Sequence, residues 1–328
     1  MRIDRLTYDL IDSTNQEAMR LGASQMLPGW PERAIVLTAR GQRDGRGRHG
    51  RSWHSPRGGA WFTIAWPMRH PPEHYAAVPL LAGLAAAEGI NLTCKDRHLT
   101  CRPIRIKWPN DLLLEGAKVG GILCQTCPLV PDVAGEGNGA GSGKASATPP
   151  PSGSEAAAGP PTALLIGIGI NVNLSAPMLP PSTDVTAPRP TSLRIALDAE
   201  MEVETLIDEV CDRLCCDLAR LDGAGNSNLL SLAMQRINAR LAWRGQSVRL
   251  IRIAGADAGA GDAAEREVRG VIERVDEHGR LLLGTEGGTI AVDAGEVERL
   301  RCDEPTTDHH DSGSSGDRPA VVPPSTSP

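Results

Sequence analysis

Aromatic side chains are scarce in this 328-residue chain, which has one Phe and two Tyr. A core of ordinary size must therefore be built from Leu, Ile, Val and Ala, and the aromatic platforms on which single-stranded nucleic acids stack are missing. The formal net charge of −6 argues in the same direction, since a surface that coats nucleic acid is basic. Met1 to Leu6 show no charged-then-apolar leader, and no apolar run approaches the length expected of a bilayer span. The eight cysteines lack the regular framework of a small disulfide-stapled fold. Cys124 and Cys127 form a C-x-x-C without a second pair at zinc-finger spacing, and read as small hydrophobes on a strand. Together these absences describe a soluble, cytoplasmic chain with no DNA and no membrane partner.

Against that acidic background, residues 41–51 form a glycine-spaced arginine run. Arg43, Arg46, Arg48 and Arg51 alternate with Gly45, Gly47 and Gly50, and Arg40 stands just before. Glycine lets backbone N–H groups approach a ligand, while arginine offers a permanently charged planar fork suited to phosphate or carboxylate. A solvated loop is the plainer alternative. The spacing Gly45-x-Gly47-x-x-Gly50 also satisfies the dinucleotide fingerprint G-x-G-x-x-G, but Ser55-Pro56 and Gly58-Gly59 prevent the helix that fingerprint needs. Gly141 to Lys144 imitate a phosphate loop, yet Asn138 and Ala145 occupy positions where Gly and Ser or Thr are required.

The remaining pattern predicts a mixed α/β domain over 1–240, a small β-barrel over 241–302 and a disordered tail over 303–328. Ser13-Thr14-Asn15 opens a helix, with Thr14 as N-cap and Glu17 completing a capping box. Ala34 to Ala39 and Ala60 to Trp66 read as strands joined by the arginine loop. Residues 73–90 read as a buried helix. Further strands are expected over Arg102–Lys107, Lys118–Thr126 and Ala163–Asn173, where Gly167 and Gly169 mark a close backbone approach. Residues 128–162 are almost entirely Pro, Gly, Ser and Ala and read as a disordered insertion between neighbouring strands. Helices follow near 202–221 and 226–240, then short strands at 246–253, 267–275, 280–283 and 289–292, with a small-residue loop over 254–264.

A second polar motif, Lys107-Trp108-Pro109-Asn110-Asp111, places a charge, an amide and a carboxylate around a proline turn directly after a strand. Trp53 and Trp108 lie in polar, Gly- or Pro-flanked surroundings and are read as covering a ligand. Taken in order, Ser13-Thr14-Asn15, Gln42, Gly45-Arg46-Gly47-Arg48, Trp53 to Pro56, Lys107 to Asp111, Lys118 to Leu123 and Gly167 to Asn171 closely resemble the biotin protein ligases. The resemblance spans roughly residues 10–300 apart from the insertion.

That resemblance implies a mixed-sheet catalytic domain related to lipoate ligases, followed by an SH3-like barrel. It implies an ATP-dependent enzyme that makes biotinyl-5′-adenylate and transfers biotin to a lysine of a biotin carboxyl carrier domain. Ser13, Thr14, Asn15, Gln42, Arg46, Gly47, Arg48 and Lys107 would bind biotin or its adenylate, with Lys107 and Arg48 catalytic. Asn110, Asp111, Lys118 and Asn171 would lie near ATP phosphates or Mg²⁺. The magnesium would travel with ATP, with no direct protein ligand. Catalytic domains pair in some relatives, so a homodimer is implied as one form. Gln125 stands where relatives often carry Glu, and only a dozen residues precede Ser13, too few for the N-terminal DNA-binding domain of the longer relatives. A lipoate or octanoate ligase on the same scaffold, and a non-catalytic nucleic-acid module, are the competing readings.

Overall fold

The computed structural model describes residues 3–24, 33–128, 162–182, 184, 186–223, 227–253 and 266–303. The body of the expected insertion, the 254–264 loop and all but the first residue of the tail lie outside the described residues.

The chain begins with strand β1 (Ile3–Tyr8), helix α1 (Thr14–Ala23), β2 (Ala34–Ala39) and β3 (Ala60–Pro67). Helix α2 (Val78–Asp96) precedes β4 (Arg105–Lys107), β5 (Asp111–Leu114), β6 (Ala117–Pro128) and β7 (Thr162–Ile170). Three helices follow, α3 (Leu193–Leu197), α4 (Val203–Leu221) and α5 (Ser227–Arg240). The last strands are β8 (Ser247–Arg252), β9 (Arg266–Val275), β10 (Leu281–Thr285), β11 (Gly288–Val292) and β12 (Val297–Cys302).

The first seven strands form a sheet ordered β1-β2-β3-β7-β6-β5-β4, in which β1 and β2 are parallel and every other pair antiparallel. This is the expected mixed sheet. All residues of β2 and β3 are buried, because both faces of the sheet are covered, and their sequences are accordingly apolar but for Thr38 and Thr63. On one face Ile35, Leu37, Ala65 and Leu165 pack beneath Ala18 of α1. On the other, Val36, Phe62, Ile64 and Ile166 meet α2 and α4. Each fully buried residue of this kind contributes about 1.5–3 kcal/mol by leaving water. β6 and β7 pair through to Pro128 and Thr162, so the ends of the expected insertion are ladder residues.

The second sheet is antiparallel, ordered β11-β10-β9-β8-β12, and accords with an SH3-like domain. Its Val248, Leu250, Ile272 and Leu283 belong to the same apolar cluster as α2 and the first sheet. The Ala242 amide donates to the Ile106 carbonyl at 2.9 Å, and Asn238 brackets Val275 with two hydrogen bonds.

Four local expectations need correction. The N-cap of α1 is Ser13, one residue earlier than expected, and it makes no side-chain cap bond; the Thr14 hydroxyl is engaged elsewhere. Trp108 covers no ligand. It is wholly buried in the core, its indole N–H donating to the Gly279 carbonyl at 3.0 Å, because the second sheet closes over it. Residues 72–96 are long and apolar enough, by length and composition alone, to count as a membrane span, yet α2 is apolar because it is buried between sheet and helices. Finally, only Arg105–Lys107 of the expected 102–107 strand pair, and β1, β5, α3 and β12 were not anticipated.

Candidate active site

The start of α1, the loop between β2 and β3, the β4–β5 turn, the glycine-rich middle of β6 and β7, and β12 surround one cavity of about 530 Å³. Every site residue expected from sequence lines it. Their side chains, however, divide into those that face free space and those already held by protein carbonyls.

At one end lies a buried polar network. Gln42 accepts from the Thr14 amide at 2.9 Å and the Thr14 hydroxyl at 3.2 Å, and donates to the Ser55 hydroxyl at 2.8 Å. Thr63 donates across to Asn15 Oδ1 at 2.6 Å, and Asn15 Nδ2 donates to Gln125 Oε1 at 2.9 Å. Gln125 thus acts as a neutral acceptor that orients Asn15, a task needing no carboxylate. Ser13 is 3% exposed, and its amide donates to Asp12 at 2.7 Å. The Asp12 carboxyl is held down to about 2, chiefly by its hydrogen bonds from Arg20. Sequence reasoning missed Thr63, although a lone hydroxyl in the apolar run Ala60–Pro67 was the available signal.

The floor is glycine by necessity. A Cβ at Gly167 would stand 2.3 Å from Asn15 Oδ1, and one at Gly169 would stand 2.7 Å from the Trp53 indole nitrogen. Gly45 is equally constrained, 2.4 Å from the Trp53 carbonyl, whereas Gly47 would meet only Arg51 at 3.6 Å. Trp53 lies across the backbone of Gly121 and Gly169, its indole N–H buried with no hydrogen-bond partner among the described residues.

The opposite wall carries the charge. Lys107 Nζ lies 3.0 Å from one oxygen of Asp111, and Lys118 Nζ lies 2.6 Å from the other. Burial pushes the Lys107 ammonium below the ordinary lysine range, with Asp111 opposing that shift. Burial acts to raise the Asp111 carboxyl, but Lys107 and Lys118 outweigh it and hold it well below the usual carboxylate range. Two ammonium groups against one carboxylate leave a positive excess. Lys118 also sits over Trp53, 5.0 Å from a ring centroid, and Lys107 faces Trp243 at 5.5 Å.

Three expected residues are tied to the protein itself. Arg48 reaches from the loop to the second sheet, donating to the carbonyls of Ala294 at 2.5 Å and Val297 at 3.0 Å. Its half-burial lowers the guanidinium's affinity for its proton. Asn110 donates to the Ile122 carbonyl and Asn171 to the Thr191 carbonyl, so both fix backbone rather than face the cavity freely. Arg46 is exposed and pairs with Asp44 at 3.1 Å.

A sequence profile described as Biotin/lipoate A/B protein ligase family matches residues 8–134, which contain the polar network, the arginine loop and the lysine cluster. The match covers 127 of the chain's 328 residues, its N-terminal part. Among individual proteins it is similar to the biotin--[acetyl-CoA-carboxylase] ligase of Paracoccus denitrificans, 38% identical over 37% of this chain and 47% of that protein. It is also similar to the ligase of the same name from Mycobacterium tuberculosis, 27% identical over 88% of this chain and 86% of the relative. The chain thus spans under half the length of the Paracoccus relative. In fold it is similar to the biotin protein ligase of Aquifex aeolicus solved with biotin and ATP, with a TM-score of 0.62 at 22% identity, over 91% of this chain and 99% of that one. That likeness is one of fold.

Proposed function

We propose that this chain is a biotin protein ligase, using MgATP to form biotinyl-5′-adenylate and passing the biotinyl group to a lysine of a biotin carboxyl carrier domain. The observation that carries the reading is the buried, net-positive Lys107–Asp111–Lys118 cluster facing a neutral polar network across a glycine floor. Biotin has matching parts: a polar ring, an apolar body and a carboxylate that must meet another anion.

In the first step a biotin carboxylate oxygen attacks the α-phosphorus of ATP, and pyrophosphate leaves. Two anions must be held together while negative charge gathers at phosphorus, so fixed cations in a water-poor site lower the barrier most. Lys107 supplies that charge, and Asp111 keeps it protonated despite burial. Ser13, Thr14, Asn15 and Gln42 orient the polar parts of biotin. Arg46, Gly47 and Arg48 bracket the adenylate from the loop, while Lys118 stands toward the phosphates and Asn110 and Asn171 brace the backbone beside them. Magnesium enters on the triphosphate; both Asp111 oxygens are taken by lysines, which suits an ion carried by substrate rather than by protein. In the second step the carrier lysine amine attacks the biotinyl carbonyl, forming an amide and releasing AMP.

The same reading includes a catalytic domain ending near residue 240, a homodimer of such domains, a cytoplasmic location and no DNA or membrane partner. Purified protein with biotin, MgATP and a carrier domain should add one biotinyl mass to the carrier. Lys107→Ala should abolish biotin-dependent pyrophosphate release. Turnover with lipoate or octanoate but not biotin would instead assign the other branch of the family, and normal release by the Lys107 variant would overturn the assignment of that residue.

A further inference from the structure

Away from the reaction cavity, on the far side of α2's entry, His70, His74 and Asp222 bring one ligand nitrogen from each ring and one carboxylate oxygen within 4.8 Å of one another. We propose that these residues form a binding site for a divalent first-row cation of the zinc type. The inference is independent of the ligase reading.

The histidines come from the β3–α2 connection and Asp222 from the residue that ends α4, so distant parts of the chain converge. His74 Nε2 donates to the Leu221 carbonyl at 2.9 Å and His70 Nε2 to the Asp222 carbonyl at 3.1 Å. A carbonyl only accepts, so each neutral ring carries its proton on Nε2 and keeps the Nδ1 lone pair. Holding the second ring N–H on a backbone carbonyl is how metal-binding histidines are usually fixed in tautomer and orientation. The two ring centroids are already 4.2 Å apart.

The carboxylate is set with equal care. Tyr75 donates to Asp222 Oδ1 at 2.6 Å and Trp66 to Oδ2 at 2.8 Å, while the side chain is only 6% exposed. Each carboxylate oxygen has a further lone pair, so these bonds orient the group without exhausting it. The site also lies at the C-terminal end of the 19-residue α4, where backbone carbonyls favour a cation. Two imidazoles and a carboxylate, with water as fourth ligand, are a donor set zinc accepts. Zinc bonds of about 2.0–2.1 Å would draw the ligand atoms to roughly 3.4 Å apart, a small movement for two exposed rings. Glu73, Glu277 and His278 line the adjoining cavity of about 360 Å³, adding the second sheet's β9–β10 turn to the surroundings.

The test is titration of the full chain with Co²⁺, read by the visible bands of tetrahedral cobalt, and with Zn²⁺, read by calorimetry. His309 and His310 lie in the C-terminal tail, so the His309→Ala/His310→Ala chain serves as background. One equivalent should bind that background chain, and a hundredfold excess over Kd should raise Tm by roughly 5 °C or more. His70→Ala and His74→Ala, both surface changes, should each weaken binding at least about tenfold and abolish the cobalt bands. Undiminished binding in both variants, or no binding at micromolar metal in the background chain, would overturn the proposal.

Discussion

Replacing Asp111 by Asn removes the negative charge between two lysines while keeping the side chain's shape. At an effective dielectric of about 20, charges 3.0 and 2.6 Å apart attract by roughly 5.5 and 6.4 kcal/mol. Withdrawing the ions from water offsets much of that attraction, so the expected loss is what breaking a buried pair leaves, about 3–5 kcal/mol at pH 7. The pH dependence follows from two lowered ionisations. Asp111 has a depressed folded pKa, so its contribution is present above the ordinary carboxylate value of about 4 and lost as pH falls through the folded one. Lys107 is also depressed, and without Asp111 it falls further. Between that value and about 10.4 the variant's unfolded chain binds more protons than its folded chain, so its stability climbs with pH. Urea unfolding should therefore show a gap that is widest near neutrality and narrows toward pH 10 and below pH 4. A loss under about 1 kcal/mol at pH 7, or a gap unchanged from pH 7 to 10, would show that the lysines do not depend on this carboxylate.

Two further changes test the floor and the loop. Gly167→Ala forces a Cβ to 2.3 Å from an Asn15 that Thr63 and Gln125 already hold, and should cost about 1–3 kcal/mol by urea unfolding and weaken biotin binding. Gly47→Ala, with nothing nearer than 3.6 Å, should leave stability within about 0.5 kcal/mol, and equal effects of the two would refute the packing argument. Arg48→Ala should speed adenylate release about 10- to 100-fold, the worth of one or two charged hydrogen bonds, with biotin affinity little changed. Equal release rates from variant and parent would contradict it.

What the sequence disclosed and what it hid separate by the range of the interaction. β2 was legible residue for residue because a strand buried on both faces reads as a nearly continuous apolar run, Ala34–Ala39, with only the β-branched Thr38 polar. Gly167 and Gly169 were legible because glycine inside a strand has few reasons other than close approach. β1 and β12 were not, since Ile3–Tyr8 and Val297–Cys302 are short, charged and only half buried. Trp108 misled for a related reason. Its polar, proline-flanked neighbours suggest a surface, and only Gly279 of the second sheet, 171 residues away, makes it core. Arg48 was read as a clamp for phosphate, and its bonds to the carbonyls of Ala294 and Val297, 246 and 249 residues along the chain, had no signal in the sequence.

That long reach of Arg48 bears on how a reactive adenylate could be both guarded and delivered. The root of the loop is stitched to the β1–α1 connection and to itself: Gln42 bridges to Ile11 and to Ser55, and Arg46 to Ser52. Its tip is held by the second sheet instead: Arg48 and His49 both contact the Val297 carbonyl, and Arg51 contacts that of Glu298. Lifting the tip away from the cavity therefore leaves the Thr14–Gln42–Ser55 network intact while breaking contacts to β12. Since Val297 to Arg301 also line the cavity, displacement of β12 and opening of the loop widen the same entrance. Under the proposed function, admission of a carrier lysine would thereby be coupled to the second sheet, and Thr14, Asn15 and Gln42 would not need to move for it.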